Sequence, residues 1–267
     1  MTPRALGALV WLDLRQAWHG RLLHVTLAIG LLFGLLIRLA LPTEAVDVIP
    51  AAEADASALA PPVQILHPEA RPAPLGLRMV PVVIALDVLV VGFFFAGVMI
   101  LQERALGTIL AYRVTPGTSL GYVASKVLVN VALAVFYVAI ILAIVPPQAL
   151  PIGALLAVVA LGSAVPTLLG VALAVHFRAL SSFFYPAALL SLVLSAAVPA
   201  YFYPALNAPW IRALPTYQAL FALRDLLLPI GREGVFVSYV SYMGGGLILA
   251  AGLAWSQVHR HLLRGSA

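Results

Sequence analysis

The sequence predicts an all-α integral membrane protein with six transmembrane helices, and three observations carry that expectation. Hydrophobic residues make up 63% of the 267 positions and charged residues 9%, with a mean hydropathy of +1.06, so the chain cannot cover itself with a water-facing surface of ordinary polarity. Apolar runs long enough for a helix to cross a bilayer, about 20 residues, recur along it. The basic residues, which give a net charge of +5, lie mostly beside those runs, where they set topology and meet anionic lipid headgroups; nucleic-acid binding is not implied. This length leaves no room for an added soluble catalytic domain, so residues 1–267 are expected to form a single membrane domain.

Residues 3–20 have helical periodicity but too many polar side chains to span. Leu6, Val10, Trp11, Leu14, Ala17 and Trp18 fall on one arc of a helix, with Arg4, Arg15, Gln16 and His19 opposite. This predicts an interfacial amphipathic helix over residues 1–20, with both tryptophans at interfacial depth. A secretory signal would need a short apolar region and a small-residue cleavage site, and neither is present in convincing form, so the N-terminus is expected to be retained.

The first span is placed at 22–41, where His24 and Arg38 lie near the ends and can snorkel. Residues 42–77 turn to Ala, Pro and acid (Glu44, Asp47, Glu53, Asp55, Glu69) without periodicity, which predicts an irregular outer loop. The second span, 79–101, carries Asp87 and then Phe93, Phe94 and Phe95. An intramembrane carboxylate marks a transport path or proton site on one reading. On the other it pairs with an Arg or with Asn130, or stays wet near the interface.

The third span, 122–145, ends at Pro146-Pro147, and the fourth, 152–175, contains Gly153, Ala157, Gly162, Pro166 and Gly170, residues that permit close helix contact and a tolerated kink. The fifth span, 183–203, has aromatic clusters at both ends, Phe183-Phe184-Tyr185 and Tyr201-Phe202-Tyr203. These suit interfacial belts or an apolar substrate surface. Residues 204–234 hold no uninterrupted run of spanning length. Breaks at Pro215 and Pro229 predict short half-embedded helices, a re-entrant segment sheltered by protein or by a cavity. The last span, 235–255, includes Gly244-Gly245-Gly246 and leads to a basic tail with His259, Arg260, His261 and Arg264.

With six spans, nine Lys and Arg residues (Arg4, Arg15, Arg21, Arg104, Arg113, Lys126, Arg178, Arg260, Arg264) fall on one side and six (Arg38, Arg71, Arg78, Arg212, Arg224, Arg232) on the other. The richer side is taken as cytoplasmic, which puts both termini and the loop after the second span inside.

Lys126 is the single lysine and it follows Ser125, so the chain has no Gly-Lys-Ser/Thr phosphate loop and is not itself a conventional P-loop ATPase. It also lacks a His-Glu-x-x-His pair and a Gly-x-Ser-x-Gly elbow, leaving zinc-protease and common serine-hydrolase readings without their parts. Cysteine is absent, which removes disulfides and thiolate metal sites. No metal site and no cofactor are expected in this chain.

One polar interval is punctuated differently from the rest. Residues 102–126 read QERALGTILAYRVTPGTSLGYVASK, with Glu103 and Arg104 at the foot of a span, Gly107-Thr108 a turn later, and Thr115-Pro116-Gly117 as a helix stop before Tyr122 and Lys126. Taken alone, Glu103 beside Arg104 is a helix cap or local ion pair. The succession of Glu-Arg, Gly-Thr, Val-Thr-Pro and a Lys ten residues after the Pro resembles the first cytoplasmic loop of type-2 ABC-transporter permeases, the class that exports drugs, lipids and polysaccharides.

That resemblance implies a permease subunit whose loop 102–120 is a coupling helix seated in a separate ABC ATP-binding subunit. Glu103, Arg104, Gly107, Thr108, Arg113, Thr115 and Pro116 would be its contact residues, held outside the hydrocarbon. ATP and Mg would be bound by that partner. It further implies a homodimer, or a heterodimer with a second permease, in the cell inner membrane. The second and fifth spans would border the path, making Asp87, Phe93, Phe94, Phe95, Phe184, Tyr185 and Tyr201 candidates to meet cargo. A hydrophobic or amphipathic cargo, drug-like or lipid, is expected from the aromatic spans, with haem and lipid-linked glycan as alternatives. A polytopic membrane enzyme or cofactor-binding protein is the rival class, and it would need buried histidines or paired carboxylates on adjacent spans.

Overall fold

The protein was analysed as a computed structural model, which describes residues 3–19, 22–41, 74–88, 92–114, 117–146, 151–203, 206, 208–228 and 233–263. Among them all regular structure is helical. Most of the outer loop expected at 42–77 lies outside the described residues, as do Thr115 and Pro116.

Helix α1 (Pro3–His19) precedes α2 (Leu22–Ala40). The span expected at 79–101 is two helices, α3 (Leu75–Leu86) and α4 (Gly92–Ala105). Pro81 interrupts the backbone ladder of α3, and a π turn at Asp87 and Val88 follows, so the carboxylate stands where the helix ends and not within a continuous rod. A six-residue helix α5 (Thr108–Arg113) leads to α6 (Ser119–Ile144) and α7 (Ile152–Ala174), matching the third and fourth expected spans. The fifth is α8 (Leu180–Leu194) continued after a turn by α9 (Ala197–Phe202). Two short helices, α10 (Pro209–Arg212) and α11 (Pro215–Leu227), fill the expected re-entrant segment, and α12 (Glu233–Gln257) runs on into a π-helical turn, Val258–Leu263.

Four of these helical stretches are long and apolar enough to cross a membrane: Ser119–Ile144, Ile152–Ala174, Leu180–Phe202 and Val235–His261. Leu27–Ala40 and Leu75–Leu86 are shorter apolar helices. The chain is therefore a multi-pass membrane protein, all-helical among the described residues.

The packing centres on α7, which lies against α4, α6, α11 and α12. Small residues make this possible. A Cβ at Gly170 would run into the backbone carbonyl of Phe93, and one at Gly92 would press on the Thr167 hydroxyl, so α4 and α7 approach at backbone distance. Two apolar clusters follow from this arrangement. One unites α3, the second half of α6, the start of α7, and α9 to α11 through Ile84, Tyr137, Val158 and Leu220. The other unites α4, the start of α6, the second half of α7, α8 and the end of α12 through Ile100, Val123, Val171 and Val258. They mark opposite ends of the bundle.

Candidate functional site

The stretch singled out by its punctuation forms a braced corner. Helix α4 carries Glu103 and Arg104 in its last turn, and a turn at Leu106-Gly107 then redirects the chain into α5. Gly107 adopts φ 73°, a left-handed conformation that costs an L-residue about 1–2 kcal/mol, which is why glycine stands there. The Thr108 hydroxyl donates to the Glu103 carbonyl at 3.1 Å and ties α5 back to α4. At the far side the Tyr112 hydroxyl donates to the Thr118 carbonyl at 2.9 Å. Partial burial and the Asp13 carboxylate raise the Tyr112 pKa and keep the phenol a donor. Thr118 in turn caps α6 by accepting from the Gly121 amide at 3.1 Å. The helix expected across 102–116 is thus the end of α4, a left-handed turn and the separate α5.

Beneath this corner lies a buried charge cluster. Lys126, 1% exposed, donates to Asp13 Oδ1 at 2.6 Å and also to Glu103 Oε1, and the Tyr122 hydroxyl donates to Glu103 Oε2 at 2.5 Å. Its members come from three helices: Asp13 from α1, Glu103 from α4, and Tyr122 and Lys126, one turn apart, from α6. One ammonium between two carboxylates leaves the cluster with a formal charge of −1. Such a group survives burial only because each charge has close partners.

This corrects the expectation that Glu103 and Arg104 stand outside as docking charges. Glu103 is 7% exposed and faces inward because the lone lysine of the sequence enters the bundle about two turns into α6 and needs a counter-charge. Arg104 also turns to the protein, donating through Nη1 to the Phe177 carbonyl and through Nη2 to the Val175 carbonyl at 2.8 Å, where it satisfies the end of α7. Arg113 closes α5, and its side chain lies outside the described ones.

Three apolar side chains of the corner face outward. Leu106, Leu110 and Val114 are 72%, 63% and 86% exposed, spaced four apart along the turn and α5. Their four-residue spacing is readable in the sequence, but nothing there marks them as exposed. Asp13 was missed as well. It sits with Val10, Leu14 and Ala17 on the face of α1 that packs against α6, while Trp11 and Trp18 are exposed beside that face. The apolar arc of α1 was therefore placed about one position away from its true contact face.

Of the candidates for a cargo path, Phe93, Phe94 and Phe184 meet in one aromatic cluster, and Tyr201 lies apart from it. Phe93 and Phe95 are buried within the helix packing; Phe93 stacks on Phe183 at 6.3 Å between ring centres, and Phe94 reaches Phe184 at 5.8 Å. Phe184 and Tyr185 are exposed on α8. Tyr201 lies at the other end of the bundle, where its hydroxyl donates to the Arg78 carbonyl at 2.9 Å and its ring meets Phe221. Asp87 is buried, and its Oδ1 has no hydrogen-bond partner among the described residues, nor does the Tyr137 hydroxyl. Asn130, a possible partner for Asp87, donates instead to the Gly92 carbonyl at 3.2 Å. His259 is tied back to Ser119 at 3.1 Å, so the expected basic tail begins as a packed element beside the corner.

The fold defines a multi-pass helical membrane protein with a loop braced by buried charges. Two curated relatives, the fluoroquinolones export permease proteins of Mycobacterium tuberculosis strains CDC 1551 / Oshkosh and ATCC 25618 / H37Rv, are each 30% identical to the chain over 190 residues, which is 67% of this chain and 78% of the relative. The chain belongs to the type-2 ABC exporter permease family. No family profile and no solved structure matches it.

Proposed function

We propose that this protein is the membrane subunit of an ATP-driven exporter in the inner membrane. Separate ABC subunits bind ATP and Mg, and a second permease, identical or related, completes the pathway. In this reading α2, the broken pair α3 and α4, α6, α7, the pair α8 and α9, and α12 are six spans of a single permease domain. Helix α1 and the loop 102–120 lie at the cytoplasmic face with both termini, and α10 and α11 dip in from outside. The cargo is an amphipathic, drug-like molecule, and fluoroquinolones, for which the two relatives are named, are the first compounds to try.

The observation that carries this reading is the division of labour in the loop. Glu103 and Arg104 point inward and fasten the end of α4 to α1, α6 and the end of α7, and Thr108 ties α5 to that end, while Leu106, Leu110 and Val114 are exposed. A rigidly mounted apolar ridge suits a partner that pushes on it, because force applied to α5 reaches several spans without first deforming the loop. Docking then rests on the leucines and on Val114, with Glu103 and Arg104 acting as the mounting. Asp87, buried at the break in the second span, is the strongest candidate for a residue that acts on cargo or on the opening of the path.

The test is Leu110→Asp in a complex reconstituted with its ATPase. Leu110 is exposed, so the substitution should leave expression and melting temperature unchanged while cargo-stimulated ATP hydrolysis falls about tenfold, the loss of one desolvated hot-spot contact. A Leu110→Asp complex that hydrolyses and pumps like the wild type would remove the ridge from the coupling path.

A further inference from the structure

The break in the second span holds two polar groups that nothing around them answers. Asp87, 7% exposed, closes α3 as its C-cap, with its amide still donating to the Val83 and Ile84 carbonyls. A helix C-terminus is the negative end of the aligned peptide dipoles, so α3 itself gives a carboxylate there no support. Tyr137, fully buried on α6, lies within electrostatic reach of Asp87, and its ring presses on α2, where a Cβ at Gly30 would stand 3.0 Å from it. Asp87 Oδ1 and the Tyr137 hydroxyl are both without a hydrogen-bond partner among the described residues. Ile84, Val88, Val138 and Val158 make their surroundings apolar.

Among the described residues no cation answers this carboxylate, and Asp87 enters none of their ion pairs. Against α3, helix α6 brings Tyr137 and Lys126, and Lys126 is held by Asp13 and Glu103 at the other end of the bundle. Helix α11 brings Tyr217 and the pair Arg224 and Asp225, which are bonded to each other. Helix α9 brings Tyr201, whose hydroxyl is spent on the Arg78 carbonyl. His24 and Arg38 on α2, and Arg78 on α3 itself, are exposed. Helix α7, whose Gly162 faces Val88, has no ionisable side chain. An isolated buried carboxylate is too costly to keep ionised, so it must take up a cation. A metal ion would need about six oxygen donors. The buried unpartnered side-chain oxygens here are two, whereas a proton needs one.

From this arrangement we propose that Asp87, with the Tyr137 hydroxyl beside it, is a proton-binding site that governs the helix break. With the proton on Asp87 the pair is neutral, each group can serve the other as hydrogen-bond partner, and the break closes in its apolar setting. When the proton leaves to water, the carboxylate needs solvent and the break opens. Raising the pH therefore favours the open break. The proton site stands without the export reading; what an open break does for cargo rests on it.

The experiment uses the full chain in phosphatidylcholine nanodiscs without ATPase or nucleotide. Infrared difference spectra between acid and alkaline buffer should show a protonated carboxylic acid band that Asp87→Asn removes and Tyr137→Phe shifts. Absence of an Asp87-dependent band overturns the proton site, and a band untouched by Tyr137→Phe overturns the pairing. Because the sequence has no cysteine, Val88→Cys, next to Asp87 and 4% exposed, reports the break through a water-soluble maleimide. Divided by the rate in an Asp87→Asn background, labelling should rise with pH by up to about tenfold per unit, the slope of one linked proton. A ratio that stays flat overturns the link to opening. Labelling that follows Na+ or K+ at fixed pH identifies a metal cation and overturns the assignment. An Asp87→Asn chain that fails to fold overturns it as well, since the amide is the closest mimic of the protonated acid. Because no transport is measured, failure here leaves the ridge at Leu110 and the export reading standing, and failure of Leu110→Asp leaves the proton site standing.

Discussion

The two ends of the bundle hold their polar residues in opposite ways. At one end, Asp13, Glu103 and Lys126 lie far apart in sequence and meet in the dark between three helices. At the other, Arg224 and Asp225 are sequence neighbours on one helix, and the tertiary work is done by side chains bonded to backbone carbonyls: Thr216 to Leu194, Tyr201 to Arg78, Gln218 to Arg212, Tyr242 to Ala213. A buried ion cluster between helices is all-or-none, because removing one member leaves another uncompensated in a low dielectric. Separate hydrogen bonds to carbonyls fail one at a time, each worth about 1 kcal/mol. The first arrangement suits an element that must transmit movement without yielding. The second suits a wall that can readjust.

Lys126→Met tests that contrast most severely. It leaves two buried carboxylates facing each other and should cost about 3–5 kcal/mol, seen as loss of folded protein or a large drop in melting temperature in detergent. The triple variant Asp13→Asn, Glu103→Gln, Lys126→Met removes every formal charge of the cluster and should recover much of that loss. If the single variant melts like the wild type, the cluster is no keystone and the comparison fails. By the same logic Glu103→Ala reports on stability as well as on coupling, so a deficit in transport after that substitution would not by itself locate the ATPase contact.

Asp87→Asn comes next. The side chain is buried with Oδ1 unpartnered, so an amide of the same shape should leave the unfolding free energy within about 1 kcal/mol of the wild type while transport falls several-fold. Transport at the wild-type rate would make the carboxylate a structural feature of the helix break.

Arg224→Gln at the opposite end strands one carboxylate, Asp225, and loses the guanidinium lying over the Phe221 ring at 4.5 Å, so it should cost about 1–3 kcal/mol, less than Lys126→Met, which strands two. A loss there as large as that of Lys126→Met would erase the distinction between the two ends. Gly107→Ala is smaller and purely conformational. A Cβ there meets no atom within 4 Å, so the expected loss of about 1 kcal/mol comes from φ alone and should appear as faster amide exchange in α5 without loss of the ion cluster.

Much of this architecture was legible in the linear pattern. Apolar runs located the long helices within a few residues, since hydropathy over about 20 positions is a property of the segment and needs no partner. Pro215 and the proline stop after α6 marked real boundaries because proline acts on its own backbone, and the break expected at Pro229 lies outside the described residues. The turn within residues 102–126 was likewise readable, as the glycine and threonine at Gly107 and Thr108 act through local chemistry.

What tertiary structure alone decided is which way the side chains in that stretch point. Nothing near Glu103 in sequence announces that it faces Lys126, and nothing near Asp13 announces that it joins them. A buried charge is placed by the sum of distant partners, and those partners are set by how α1, α4 and α6 pack. The same holds for the break at Asp87 and for the exposure of Leu106, Leu110 and Val114. Composition and period determine that a segment is a helix in a membrane. The free energy of pairing a few polar groups in the low dielectric between helices determines how those helices are assembled, and that quantity exists only once the helices have met.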